Sequence, residues 1–239
     1  MTFLNIALSW CSISWIINHC LIHCKYSNVE NRKNKVIKDL GEYISFLHSS
    51  SATLLSYMYI TKLTLDDYKY PQTNKMEHNL ILFSSVCYFT IDLFFVCIPL
   101  RLYRFIWHHI SSLYILLYIL YNGVNSNIII NLLFYAEYSV PFYVLWKYLD
   151  KNWQRFDKLV FISFVVYIFF FTKSRLLNLG DIFIMYMLFS PHSKYIILIP
   201  SLFIYGGSLL WIGVSIYRIY SKIKNIIYNN EKTWIISVN

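Results

Sequence analysis

Charge is scarce in this chain, and its scarcity excludes most classes of soluble protein. Asp, Glu, Lys and Arg make up 14% of the 239 residues, where an ordinary soluble domain carries about 25%. With 57% hydrophobic and 20% aromatic residues, the sequence is neither disordered nor an ordinary cytosolic enzyme. A disulfide framework is also lacking. Cys11, Cys20, Cys24, Cys87 and Cys97 fall in or beside apolar runs, where a thiol behaves as a small hydrophobe. There is no N-x-Ser/Thr sequon and no C-terminal retention or prenylation signal. The first 24 residues lack a basic leader and a small-residue cleavage pattern, so they are expected to be a membrane span and not a removable signal.

What the chain has instead is a succession of long apolar runs. They fall near 3–24, 43–61, 79–100, 104–121, 127–147, 158–177 and 195–217, with a shorter stretch at 179–189. Runs of roughly 18 or more apolar residues cross a ~30 Å hydrocarbon core as helices. The expected fold is therefore all-α, a polytopic bundle of about seven spans, with Gly180 and Asp181 marking a bend into an interfacial piece. The +9 charge bears on orientation and not on nucleic-acid binding, because the basic residues lie in short loops. Alternate loops and the tail hold fifteen of the 21 lysines and arginines, and the other loops hold six. That asymmetry implies an outer or lumenal N-terminus and a cytoplasmic C-terminus. The chain then divides into a first span with a basic loop (1–39), a membrane domain (40–219) and a cytoplasmic tail (220–239).

Ionisable residues inside apolar runs are the places where function is legible, since each costs on the order of 2.5–3.5 kcal/mol to insert. They are His48, Asp92, His108, His109, Glu137 and Arg175, with Tyr88 one helical turn before Asp92. At a rise of about 1.5 Å per residue, His48, His108 and His109 share a layer roughly 6–9 Å inside the cytoplasmic face, Asp92 and Glu137 lie deeper at roughly 13–15 Å, and Arg175 approaches the opposite surface. Helical spacing aligns Ser84, Tyr88 and Asp92, aligns His48, Ala52 and Ser56, and aligns Arg101, Arg104 and His108. The arginine stripe offers an anionic headgroup or coenzyme A an access path from the cytosol. Adjacent histidines supply a base or nucleophile, with Asp92 or Glu137 orienting an imidazole. A protonated carboxyl that only packs helices is the bland alternative. No His pair at i, i+4 and no His-Glu-x-x-His occurs, so no metal is expected.

The segments EYISFLHSSSATLLSYMY, ILFSSVCYFTIDLFF, RFIWHHISSLYILL, LFYAEYSVPFYVLWKYL and IFFFTKSRLL together resemble the TLC superfamily, which groups translocation-associated membrane proteins, ceramide synthases and lipid-homeostasis proteins. The resemblance covers about residues 40–219. It implies a helical bundle, usually of the endoplasmic reticulum, whose interior binds lipid. In ceramide synthases the paired histidines transfer an acyl group from acyl-coenzyme A to a sphingoid base, and His108 and His109 match that pair. The downstream synthase motif is His-Asp-x-Ser-Asp, whereas this chain has Ala136, Glu137, Tyr138, Ser139 and Val140. Its Glu-x-Ser-x-Pro pattern, ending at Pro141, is closer to the non-synthase branch.

The resulting expectation is a lipid-binding or lipid-sensing membrane protein that supports lipid homeostasis. Its catalytic candidates are His108, His109, Asp92 and Glu137. Its lipid-binding candidates are His48, Tyr88, Ser139, Pro141 and Arg175, and its anion-access candidates are Arg101 and Arg104. The partner is a membrane lipid (phospholipid, ceramide or fatty acyl chain) and no cofactor is expected. The alternative is an acyl-coenzyme A-dependent N-acyltransferase, in which acyl-coenzyme A is substrate. A seven-helix receptor or small transporter fits the topology, but there are no paired Gly/Pro-broken helices in two halves to support a transporter.

Overall fold

The computed structural model describes residues 30–152, 157–189 and 194–237. The expected span 3–24, with Cys11, Cys20 and Cys24, and the side chain of Arg104 lie outside the described residues. Long apolar segments with few backbone breakers fold as helix, and there is no strand among the described residues. The elements are α1 (Glu30–Tyr59), α2 (Leu65–Lys69), α3 (Met76–Asp92), α4 (Tyr103–Asn122), α5 (Ser126–Glu137), α6 (Val140–Asn152), α7 (Asp157–Phe171), α8 (Leu179–Phe189) and α9 (Lys194–Ser237). Two π-helical segments extend this set: Leu93–Cys97 continues α3, and Thr172–Asn178 joins α7 to α8.

Four stretches among the described residues are long and apolar enough to cross a membrane: Met76–Cys97, Ser126–Asp150, Lys158–Phe189 and Ile199–Ser221. Large apolar side chains cover their outer faces, with Phe94 59%, Phe169 60%, Phe203 61% and Leu210 75% exposed. Water does not tolerate apolar surface of that extent, whereas hydrocarbon solvates it. By length, composition and surface this is an integral membrane protein. The expected spans 43–61 and 104–121 fall in α1 and α4, which are helical but do not reach the same apolarity.

The chain does not leave the helix at Gly180 and Asp181, where a bend is expected. Lys158–Phe189 is one helical stretch of 32 residues, and its irregularity is the π segment before Gly180. The expected boundary between membrane domain and tail at residue 219 likewise falls inside the continuous α9. Two prolines do interrupt helices. Pro141 has no N–H for the carbonyl of residue 137, and a turn at Tyr138 and Ser139 separates α5 from α6. Pro99 ends the α3 extension in a turn that leads to α4.

One end of the bundle is closed by a polar clasp between the α2–α3 and α4–α5 connections. The Asn74 and Asn125 amides donate to the carbonyls of Gly123 and Gln72 at 2.8 and 2.7 Å. The Asn74 side chain donates to Ile119 O and Asn79 Oδ1 and accepts from Ser126 N. Asn127 donates to Asp67 at 2.8 Å, and His78 Nδ1 bonds Ser126 Oγ at 2.9 Å. Gly123 ends α4 at φ +68°, a left-handed conformation that glycine adopts without steric cost.

Below the clasp, Ala52, Leu82, Phe89, Ile119, Ile130 and Leu133 form the main core between α1, α3, α4 and α5. A second, aromatic core joins α6, α7 and α9 through Trp146, Phe164, Tyr167 and Ile212. α1 crosses the first π segment at Gly41, where a Cβ would stand 2.7 Å from Val96 Cγ1. Valine cannot easily rotate away there because its χ1 is restricted. Gly41→Leu should therefore destabilise the protein by about 1–3 kcal/mol, read as a lower melting temperature in detergent, and Val96→Ala in the same chain should restore part of the loss.

Tyr68, in the short α2 outside the membrane-spanning stretches, is buried. Burial, with the carboxylates of Asp67 and Asp181 nearby, pushes its phenol up to about 12. Because the unfolded chain loses that proton near the ordinary value of about 10, stability should fall as pH rises from about 10 to about 12. Tyr68→Phe should remove that component from the pH dependence of the melting temperature.

Candidate functional site

The seven polar residues picked out inside the apolar runs converge in the half of the bundle remote from the clasp. α1 contributes His48 on a buried face with Ser49, Ala52 and Ser56. Its ring stacks on Tyr88 of α3 with centroids 3.9 Å apart and planes 8° from parallel. Tyr88 OH is tied to Ser45 Oγ at 3.0 Å, three residues before His48 on the same helix. One turn further along α3, Asp92 Oδ2 meets His109 Nε2 of α4 at 2.6 Å, and both residues are buried. His109 Nδ1 is buried without a hydrogen-bond partner. Neighbouring helical residues point about 100° apart, and the two histidines divide accordingly: His109 faces Asp92, while His108 is only partly buried beside Phe89.

Glu137 ends α5 at the proline break and is buried, as is Ser139, whose Oγ has no hydrogen-bond partner. Pro141 is half-buried in the first turn of α6. Arg175 lies in the second π segment, 7% exposed, with its guanidinium 5.6 Å from the Phe171 ring. Arg175 lies within electrostatic reach of Glu137 and His108, and His109 within reach of His48, His108 and Glu137. Arg175 and Glu137 do not make an ion-pair contact. The ion pairs among the described residues are His109–Asp92 and Lys147–Glu42, the latter at 2.6 Å and half-exposed.

Two expectations from helical arithmetic are corrected. Arg175 itself is buried in the bundle, near the middle of a helical stretch that runs from Lys158 to Phe189 and not to residue 177. Asp92 is not in a layer apart from the histidines, because the rise was counted along an unbroken helix to Arg101, where a π segment and a turn intervene. For the same reason Arg101 does not continue a helical stripe to His108. It is exposed in the turn before α4, at φ 53°. Cys97 was missed as a member of the site. It lies five residues after Asp92, which on an α-helix turns it about 140° away. The π-helical turn, with its i→i+5 bond Ile98 N→Leu93 O, is wider, and Cys97 Sγ donates to Asp92 Oδ2 at 3.2 Å.

An acid satisfied by two donors inside apolar surroundings is tightly coupled to both. Asp92→Ala or His109→Ala alone should each destabilise the fold, since hydrogen bonds to charged groups contribute about 1.5–3 kcal/mol. The double variant should lose less than the sum of the single losses, a non-additivity that thermal denaturation of the four proteins would measure. Removing the partly buried Glu42–Lys147 pair should cost about 1 kcal/mol, near the upper end for solvent-accessible pairs. Compared with models of known families, with curated proteins and with solved structures, the chain matches none.

Proposed function

We propose that this protein binds a membrane lipid by its polar headgroup inside the helical bundle and serves membrane lipid homeostasis, as the resemblance to the non-synthase TLC branch implies. The observation that carries this reading is the clustering of His48, Tyr88, Asp92, His109, Glu137 and Arg175 from five separate segments in an otherwise apolar interior. Ionisable groups buried in membrane spans are costly and mark ligand or ion pathways. A lipid supplies what the cluster lacks: an anionic or hydroxyl group for Arg175 Nε and Ser139 Oγ, which are buried without partners, and acyl chains compatible with the surrounding bundle. The fuller picture is a seven-span bundle with an outer or lumenal N-terminus, in the endoplasmic reticulum membrane.

The test is native mass spectrometry with lipid analysis of the full chain purified in mild detergent. Wild type should carry a defined lipid. Arg175→Gln and Glu137→Gln should lose most of it while keeping a wild-type gel-filtration profile. Lipid content that is unselective, or unaltered in both variants, overturns the reading.

The His109–Asp92 bond favours a second reading, acyl transfer from acyl-coenzyme A to an amine or alcohol. A carboxylate holds one ring nitrogen, and the other has no partner, which is the arrangement of an oriented general base. Labelled acyl-coenzyme A and sphingoid base should then give an amide with wild type and none with His109→Ala.

A further inference from the structure

We propose that Asp92, Cys97 and His109 form a binding site for a zinc-class divalent cation. Their donor atoms, a carboxylate oxygen, a thiol sulfur and an imidazole nitrogen, all lie within 4.8 Å of one another, and all three residues are buried. Carboxylate, thiolate and imidazole are the ligand types that zinc takes, and three protein donors with one position open is a recurrent zinc arrangement. Two separations are already close to what tetrahedral binding needs. Zinc bonds of about 2.0–2.3 Å place donors roughly 3.3–3.5 Å apart, against 2.6 Å for His109 Nε2 to Asp92 Oδ2 and 3.2 Å for Cys97 Sγ to Asp92 Oδ2. For the ion to enter, the His109–Asp92 pair must part by less than about 1 Å, and the thiol sulfur and the imidazole nitrogen, which lie within 4.8 Å, must approach by about 1 Å.

Backbone geometry and charge point the same way. Asp92 and Cys97 share a face only because Leu93–Cys97 is π-helical, and such turns are frequent at functional sites. With a neutral imidazole, the carboxylate leaves the trio with one negative charge. On binding, the thiol loses its proton, and the imidazole proton passes from Nε2 to Nδ1, the nitrogen that has no partner. Two anionic ligands then balance a divalent ion, and the site becomes neutral, which an apolar interior favours.

The experiment uses the full chain in detergent, prepared without a polyhistidine tag and loaded with cobalt(II) or zinc(II) alone. Wild type should bind about one ion per chain, with a thiolate-to-cobalt charge-transfer band. Cys97→Ser should abolish the band while Cys87→Ser keeps it, because Cys87 lies outside the trio. Asp92→Asn should weaken zinc binding by at least the roughly 100-fold that loss of an outer-shell partner can cost. In unaltered protein, zinc should raise the melting temperature and a chelator should reverse the rise, a readout that needs no variant to fold. A cobalt band that survives Cys97→Ser, or a melting temperature of unaltered protein unchanged by zinc, overturns the proposal.

Discussion

The hydrogen bond between Asp92 and His109 is the contact around which the polar interior is organised. A carboxylate placed in the middle of an apolar helix has no water to turn to, and its partner must come from another element. α4 supplies that partner, and the turn forced by Pro99 brings α4 back beside α3. The short separation fixes the register of the two helices, so that His109 faces inward and His108 is left at the margin. Tyr88, one turn before Asp92, carries the same face of α3 to His48 on α1. Three helices are thereby joined by polar contacts within a core that is otherwise Ile, Leu and Phe.

Both π segments flank this region. One brings Cys97 under Asp92, and the other holds Arg175 near Glu137 and His108. Wider helical turns have poorer internal packing than α-helix, and here each places a chemically capable side chain where regular spacing would not. The clasp at the other end has a different character. Its Asn, Ser and His groups bond mostly to one another and to backbone, which makes it a closure of the bundle in which nearly every polar group is paired.

Membrane class and most of the polar constellation were legible in the sequence because the cost of an ionisable group in hydrocarbon makes each one conspicuous. His48, Asp92, His109, Glu137 and Arg175 needed no knowledge of packing to be singled out. The stripe of His48, Ala52 and Ser56 was also legible, since α1 is a regular helix and period counting holds along it. Counting failed wherever the helix was not α. Cys97 was passed over because five residues mean opposite faces at 3.6 per turn, and Arg101 was placed on a stripe that the turn at Pro99 dissolves. The stretch that holds Arg175 runs on to Phe189, past the expected end at residue 177, because the polar residues Lys173 and Arg175 do not interrupt the helix. Gly180 has a packing role that its sequence context does not reveal: it lies against Tyr205, whose hydroxyl would be 3.0 Å from an added Cβ, so this glycine permits close packing of α9.

The break after Glu137 has an electrostatic consequence. Pro141 carries no N–H, so the carbonyl of residue 137 lacks the donor four residues ahead of it and keeps its partial negative charge inside the bundle. α5 ends in this way beside the segment that holds Arg175. The buried guanidinium thus has that carbonyl's segment as well as the Glu137 side chain for neighbours, and its Nε, which has no partner, is left for an incoming anion.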